Sequence, residues 1–517
     1  MNKRLLGVAL IGALIAIPLL RIIATYAVFS QTSDEPIHIA TGLEWLTTGK
    51  YDLDVEHPPL ARIAFGIDAA LQSAKLESGN TTEMGNALLE RDGRYVRNLA
   101  AARAGNLPFF LLALVIVGLW TRRLFGDAAA LVALALFGAL PPILGHAGLA
   151  TTDMAVTAMT VTALYVFARW LEVPSWRTAL LLAFACGLGL LAKFSFVIFF
   201  PVAALVMVIV HLVFHRDRVP LVRIAQIATG ALLAFVMVWA AYKFTIGVLD
   251  VGMRPAWQRI ASQYRIPAPQ FFAGLHYVRR HSASGHWAYL LGEYSRHGWW
   301  YYFPVLIFFK TPLAFLAAAA IGVARTLRSR SAETIAVAIA PMAMLIPAMT
   351  SGINIGVRHV LPIFPLLTIC AACGVVALWQ RSRIAVIVLM TWYFVATALA
   401  HPDYMSYFNE AAAGHPERIA ADSNLDWGQD LLCLGDVVRH ERIDHLYVAY
   451  WGTADWQRFV PQGQQLPPLT PVHGWVAISE NERLFLWQTA DQAPYAWLRA
   501  YQPVRRIGKS IWLYWIP

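Results

Sequence analysis

The chain begins with a long apolar run that ends in two adjacent acids, LLGVALIGALIAIPLLRIIATYAVFSQTSDEPIH (residues 5–38). Residues 5–29 are long and apolar enough to cross a bilayer as one helix, because about 20 such residues span the ~30 Å hydrocarbon core. Asp34 and Glu35 follow where that helix would leave the membrane, and a membrane anchor needs neither. They therefore either cap a helix or do chemistry at the membrane surface.

The composition predicts an α-helical polytopic membrane protein. Of 517 residues, 58% are hydrophobic and 14% are charged, whereas about a quarter of an ordinary soluble domain is charged. Apolar runs of helix length recur along the chain, and no alternating pattern of barrel strands is present. We predict about eleven spans, at residues 5–29, 100–120, 128–144, 154–170, 178–192, 194–214, 221–242, 300–323, 334–349, 360–379 and 384–400.

The formal net charge of +10 is also typical of nucleic-acid-binding proteins. Here, however, the positions of the basic residues indicate the membrane topology. The basic residues fall in short gaps between apolar runs, which the positive-inside rule makes cytoplasmic. With the N-terminus inside, the outer face receives SDEPIH, the loops 31–97 and 244–299, and everything after residue 400. The basic residues concerned are Lys3, Arg4, Arg122, Arg123, Arg177, Arg216, Arg218, Arg325, Arg328, Arg330, Arg381 and Arg383.

One apolar stretch, residues 178–214, is too long for a single span. As one helix it would extend about 55 Å, far beyond the hydrocarbon core. Lys193 interrupts the stretch, and basic residues at both ends favour the same side of the membrane. We predict two short spans that turn near Lys193, which places this lysine on the outer face.

The C-terminal segment 401–517 no longer has a membrane-like composition. We predict that it forms a small soluble α/β domain, distinct from a transmembrane domain at 1–400. HLYVAYWG (445–452) and GWVAISE (474–480) have the composition of buried strands. DWGQDLLCLGDVVRHE (426–441) predicts a helix with Asp426 as its N-cap. The four cysteines form neither a disulfide framework nor a zinc pattern.

Ionisable residues collect on the predicted outer face. Charged groups at membrane depth cost several kcal/mol, so they are usually paired or functional. Acids and bases that converge from separate spans suggest a site between helices, although each has a structural alternative as a helix cap, an interfacial anchor or a partner of loop backbone. The residues are Asp34, Glu35, Glu56 and His57 of EHPPL (56–60), Asp153 after two threonines, Lys193, and Arg358 with His359.

Transfer from a lipid-linked phosphate needs such a site. A carboxylate takes the proton from an acceptor hydroxyl as that hydroxyl attacks. Arginine, histidine or lysine stabilises the phosphate as it leaves with negative charge. A lipid carrier also explains a site at the bilayer edge, because its tail stays in hydrocarbon while its phosphate reaches the water boundary.

The order of these motifs resembles a known family. An apolar span, SDEPIH, EHPPL, TTD at a later span start and VRHVLPIFP (357–365) are similar to protein O-mannosyltransferases and bacterial aminoarabinose transferases. Both are GT-C fold glycosyltransferases that use polyprenyl-phosphate sugars. GEYSRHGWWYYFPVLIFFKTPL (292–313) and HPDYMSYFNEAAAG…DSNLDWGQDL (401–431) also resemble segments of bacterial phospholipid-carrier-dependent glycosyltransferases.

The resemblance implies residue roles and a location. Asp34 matches the catalytic acid, with Glu35 as its partner and Asp153 as the second outer acid. His57, Lys193, Arg358 and His359 are the candidates for binding the carrier phosphate. Glu56 matches an acid that holds a divalent metal in the aminoarabinose enzymes, and no other cofactor is implied. The implied location is a bacterial inner membrane, with the site on the periplasmic or extracellular side.

Three hypotheses follow. The first is an inverting glycosyltransferase, with hexosyl or pentosyl transfer from a polyprenyl-phosphate sugar to a protein, lipid or glycan hydroxyl. The second is a transporter or flippase of a lipid-linked sugar, although transporters place charged groups near the midplane between matched repeats. The third is an envelope scaffold whose tail presents Trp427, Trp451 and Trp456 to a partner; these tryptophans also suit a domain core. Membrane lipids are expected partners and nucleic acid is not.

Overall fold

The computed structural model describes residues 3–215, 221–249, 251, 264–484 and 493–517, and helices make up most of it. The α-helices are α1 Lys3–Ile23, α2 Glu35–Thr48, α3 Pro59–Leu71, α4 Thr81–Glu90, α5 Tyr95–Ala104, α6 Leu107–Phe137, α7 Pro141–Ala147, α8 Asp153–Glu172, α9 Trp176–Ala192, α10 Phe196–His215, α11 Leu221–Ala241, α12 Pro269–Ser284, α13 Tyr302–Lys310, α14 Leu313–Thr326, α15 Ala332–Met349, α16 Phe364–Trp379, α17 Arg383–Leu399, α18 Leu431–His440 and α19 Glu480–Leu484. The strands are β1 Ile246–Val248, β2 Arg265–Pro267, β3 Ala288–Leu290, β4 Glu293–Ser295, β5 Leu446–Ala449, β6 Gly463–Gln465, β7 Gly474–Ser479, β8 Arg505–Ile507 and β9 Ile511–Ile516.

The predicted membrane-spanning class is confirmed, and the span count depends on how broken helices are counted. Seven helices in the described ranges are long and apolar enough to cross a membrane, or eight with one bent pair. Starting from eight, the predicted eleven spans are reached by adding the shorter helices α9 and α17 and by counting α6 as two spans. The helical geometry of α6 is interrupted at Gly126 (φ 84°). The topology residues Arg216 and Arg218 lie outside the described residues.

The predicted span at 300–323 is a bent helix pair in the structure. The segment forms α13 and α14, which meet at an angle of 114°. Thr311 and Pro312 separate them, and the proline cannot donate the backbone hydrogen bond that would continue α13. Lys310, the last residue of α13, is fully buried at this bend.

The predicted turn near Lys193 is confirmed. Helix α9 ends at Ala192 and α10 begins at Phe196, with Lys193 in extended backbone between them. The loop 31–97, expected to be only a polar segment, contains the short helices α2, α3 and α4. These helices were not predicted because each buries only one face against its neighbours, so the segment as a whole has a polar composition.

The C-terminal region contains a five-stranded mixed sheet in the order β6-β5-β7-β9-β8. Strands β5, β6 and β7 run parallel, while β9 is antiparallel to β7 and β8. Both faces of the central strands are buried: Ala477 packs in one apolar cluster with α18, and its neighbours Val476 and Ile478 pack in another. This explains why the predicted strands at 445–452 and 474–480 are nearly continuously apolar.

The predicted helix at 426–441 begins late. Helix α18 starts at Leu431, and residues 422–430 form irregular backbone with a 3₁₀ turn at Asp422–Asn424. Asp426 is not the N-cap: its carboxylate accepts hydrogen bonds from the backbone N–H groups of Gly428 and Asn481. Gly428 has a φ of 86°, a left-handed conformation that interrupts a helix.

Helices α14 and α16 pack at unusually close range through small residues. A Cβ added to Gly322 would lie 1.7 Å from the carbonyl oxygen of Cys370, and one added to Gly374 would lie 2.1 Å from that of Ala318. Small residues at such positions let membrane helices approach closely and gain van der Waals contact. This packing positions α16 and the 3₁₀ turn Val357–Ile363 that precedes it.

We expect Gly322→Leu to separate α14 from α16 and to destabilise the protein by about 1–3 kcal/mol or more, because overpacking forces backbone shifts. Gly12→Leu is the matched control, since no atom lies within 4 Å of a Cβ added at Gly12. The measurement is thermal unfolding of the detergent-purified variants. Equal melting temperatures for both variants and the wild type would contradict this packing.

Candidate active site

Four predicted site residues meet in one chain of ion pairs. Arg358 Nη1 lies 3.1 Å from Asp34 Oδ2 and 3.8 Å from Asp153 Oδ2. Lys193 Nζ lies 2.6 Å from Asp153 Oδ1. The four side chains come from the start of α2, the start of α8, the α9–α10 turn and the 3₁₀ turn before α16, so the cluster is built where helices end. Its two carboxylates and two cationic side chains balance in charge.

Exposure distinguishes the members of this cluster. The Asp34 side chain is 31% exposed, whereas those of Asp153, Lys193 and Arg358 are 1%, 9% and 8% exposed. Asp34 is at the N-cap position of α2 but makes no capping hydrogen bond. The capping explanation therefore does not account for Asp34, and this carboxylate is the member of the cluster that most readily meets a solute.

Glu35 lies in a separate, fully buried ion pair. Its Oε1 and Oε2 each accept a hydrogen bond of 2.9 Å from Arg103, at Nε and Nη2. Oε1 also accepts from the Ala150 backbone N–H at 2.8 Å, and Oε2 from that of Thr32 at 2.8 Å. Glu35 thus ties the chain before Asp34 to the loop before Asp153. Arg103, a lone cation in an apolar stretch, was not among the predicted residues, although its position at membrane depth was a usable signal.

Histidines surround the charged cluster. Nδ1 of His57 and Nε2 of His359 are buried and have no hydrogen-bond partner among the described residues. Burial, reinforced by the charge of Arg62, holds the pKa of His57 well below its usual value, so this ring is neutral at pH 7. The ring of His38 lies 5.2 Å from that of His57 and accepts a hydrogen bond from Arg62 Nε. His38 stands in SDEPIH itself but was not predicted as a site residue.

The residues around Glu56 do not fit a divalent metal. Burial and the neighbouring Asp54 raise the pKa of Glu56, and the Tyr277 hydroxyl is its hydrogen-bond partner. Asp54 itself forms an ion pair with Arg62. Across the described ranges, no three His, Cys, Asp or Glu side chains are arranged to hold a metal ion.

A segment of the C-terminal region closes one side of the cluster. Arg358 Nε donates to Ser423 Oγ at 3.1 Å, and its guanidinium lies 4.1 Å from the ring centroid of Trp427. Trp427 is 1% exposed, so it does not present a surface to a partner. Burial raises the pKa of the Asp422 carboxyl to about 7, against the opposing attraction of Arg358. The sequence did not identify these contacts.

Comparisons with known proteins agree on the architecture. Residues 47–262 match the family model described as dolichyl-phosphate-mannose-protein mannosyltransferase. ArnT from Cupriavidus metallidurans bound to undecaprenyl phosphate is 14% identical, with 97% of each chain covered and a TM-score of 0.55. The chain has the GT-C fold.

A second structure shares the GT-C fold. The oligosaccharyltransferase AglB from Archaeoglobus fulgidus, in complex with an inhibitory peptide and a dolichol-phosphate, is 14% identical with a TM-score of 0.51. That comparison covers 91% of this chain and 70% of AglB. A search of curated proteins by sequence gave no significant match. The resemblance to GT-C glycosyltransferases stated from the motifs is confirmed, and the chain is a multi-pass membrane protein with that fold.

We expect Glu35→Gln to destabilise the GT-C domain by about 3–5 kcal/mol, because it leaves the buried Arg103 guanidinium without a counter-charge. Thermal unfolding in detergent measures this effect. Glu90→Gln is the matched control: Glu90 pairs with Arg458 at a partly exposed site, where an ion pair contributes about 0–1 kcal/mol. A Glu35→Gln protein as stable as the wild type would show that Glu35 has no structural role.

Proposed function

We propose that the protein is an inverting glycosyltransferase that moves a hexosyl or pentosyl group from a polyprenyl-phosphate carrier to an acceptor hydroxyl on the outer face of the membrane. The observation that carries this proposal is the Asp34–Arg358–Asp153–Lys193 cluster, in which the most exposed member is a carboxylate backed by two cations. The GT-C fold, found in structures bound to lipid phosphates, supports it. Acceptors on protein, lipid or glycan all fit this chemistry.

Asp34 is proposed as the general base. Its carboxylate takes the proton of the acceptor hydroxyl while the hydroxyl oxygen attacks the anomeric carbon. The new carbon–oxygen bond forms as the bond to the carrier phosphate breaks, so the configuration at that carbon inverts. Arg358 Nη1 donates a hydrogen bond of 3.1 Å to Asp34 Oδ2 and so holds this carboxylate in position.

The cations are proposed to hold the departing phosphate, which keeps the electron pair of the broken bond. Arg358 has one nitrogen, Nη2, with no hydrogen-bond partner among the described residues. The unpaired ring nitrogens of His57 and His359 add neutral donors when protonated at those positions. Lys193 reaches the same charge cluster through Asp153. Asp153 is proposed as a positioning acid, since its side chain is only 1% exposed.

The broken helix pair α13–α14 resembles the discontinuous helices of transporters, which line substrate sites at the midplane. In this protein, residues of the 401–424 region contact the end of α13 at the break. Lys310 Nζ donates to the backbone carbonyls of Met405 and Asn424 at 2.6 Å each, and it lies 4.4 Å from the Phe408 ring centroid. The break is thus occupied by protein groups and does not line a substrate site, which favours an enzyme over a flippase.

We expect Asp34→Asn to lower turnover by at least about 10²-fold, because the amide keeps the shape but cannot take a proton. Asp153→Asn should cause a similar or smaller loss, and Arg358→Ala should weaken carrier binding. Turnover of a radiolabelled polyprenyl-phosphate sugar in membranes, at matched amounts of folded protein, provides the measurement. Asp52→Asn, at an exposed position of the same outer segment, is the control. Wild-type turnover by Asp34→Asn would exclude Asp34 as the base.

The outer location of the site gives a separate prediction. In a background without the four native cysteines, Ser351→Cys and Gln462→Cys should react with an impermeant thiol reagent in intact spheroplasts. Ser329→Cys lies next to Arg328 and Arg330 and should not react, because the positive-inside rule places this turn in the cytoplasm. Labelling at position 329 alone would put the acids in the cytoplasm and overturn the proposed orientation.

A further inference from the structure

Residues 422–427, DSNLDW, form a buried segment of the C-terminal region that contacts Arg358 and also Ser33, the residue next to Asp34. On the Arg358 side, Ser423 Oγ accepts a hydrogen bond from Nε at 3.1 Å and donates one to the Ile355 carbonyl at 2.8 Å. The Trp427 ring lies under the guanidinium, with 4.1 Å between its centroid and Cζ. Both contacts act on Arg358 without occupying the nitrogen that faces Asp34.

On the Asp34 side, the same tryptophan holds the backbone. The Trp427 carbonyl accepts hydrogen bonds from Ser33 N at 3.0 Å and from Ser33 Oγ at 3.3 Å. The Thr453 hydroxyl, further along the C-terminal region, donates to the Ser33 carbonyl at 3.0 Å. Trp427 therefore bridges the two charges: its ring contacts the cation, and its backbone anchors the residue next to the acid.

The segment is itself held in place by the membrane-spanning part. Asn424 Oδ1 accepts a hydrogen bond from the Val357 N–H at 3.0 Å, beside Arg358, and Asn424 Nδ2 donates to the Tyr302 hydroxyl at 3.1 Å. The Asn424 carbonyl accepts from Lys310 at the helix break. Gly356 allows the close approach, since a Cβ there would lie 2.3 Å from Ser423 Oγ.

We propose that the DSNLDW segment is a positioning element of the active centre, in which Ser423 and Trp427 hold the Arg358 guanidinium against Asp34 and ready for the carrier phosphate. The inference rests on the proposed function and extends it to the C-terminal domain. That domain then completes the phosphate-binding site, whatever further role it has toward an acceptor. With Nε on Ser423 and Nη1 on Asp34, Nη2 is left to bind a phosphate oxygen.

The test measures binding of a C55 polyprenyl phosphate to the purified full-length protein in detergent. We expect Ser423→Ala and Trp427→Leu each to weaken the affinity about fivefold or more, because each removes a contact to a charged group. Trp427→Phe keeps an aromatic face and should recover affinity to within about threefold of wild type. Thr121→Val is the control: it removes a buried hydroxyl that donates to the Val117 carbonyl within α6 and makes no hydrogen bond to Arg358 or to residues 422–427.

Melting temperatures identify variants that fail to fold, and Ser423→Ala, which removes one oxygen, keeps the test decisive if Trp427→Leu does fail. Weaker binding by Ser423→Ala with normal binding by Thr121→Val supports the inference. If Arg358→Ala loses binding while Ser423→Ala and, where it folds, Trp427→Leu bind like wild type, the segment has no positioning role and the proposed function stands. If the wild type does not bind, or binds no better than Arg358→Ala, the proposed function fails and this inference fails with it.

Discussion

An arginine side chain cannot be buried at a membrane boundary without partners, and Arg358 is buried there. The cost of removing its charge from water is met by Asp34, by the more distant Asp153, by the Ser423 hydroxyl and by the face of Trp427. These partners come from three separate parts of the chain. The ends of several helices and the C-terminal segment must therefore meet at one place for this charge to be tolerated.

The same requirement explains two other irregular places in the fold. Glu35 and Arg103 neutralise each other in full burial, and their bonds to Thr32 and Ala150 join the chain before α2 to the loop before α8. Lys310 has no carboxylate partner within the described part of the chain, and it donates to two backbone carbonyls of the 401–424 region at a break between helices. Non-helical backbone supplies the free carbonyl groups that these cations need. Broken helices and buried cations thus occur together and connect the C-terminal region to the membrane domain.

Much of the candidate site could be predicted. Asp34, Asp153, Lys193 and Arg358 each stand at the end of an apolar run, and counting spans puts all four ends on one face. The two acids of SDEPIH, however, were distinguished only through the family resemblance, which made Asp34 the catalytic acid and Glu35 its partner. Adjacent residues at a helix start point in different directions, so Asp34 reaches the partly exposed cluster while Glu35 turns to Arg103. The role of DSNLDW was also missed, because a helix interpretation of 426–441 hid the irregular backbone that places Trp427 under Arg358.

The sequence by itself determined the protein's class: which stretches are apolar for about the thickness of a bilayer, where they are interrupted, and which of their ends carry charge. Those properties are local, since a run of about 20 residues either suits hydrocarbon or does not. Tertiary structure alone decided which charge pairs with which. Asp34 and Arg358 are 324 residues apart in sequence yet 3.1 Å apart in space. No local pattern encodes such a pair, because its partners are selected by the packing of helices and by the cost of leaving either charge alone.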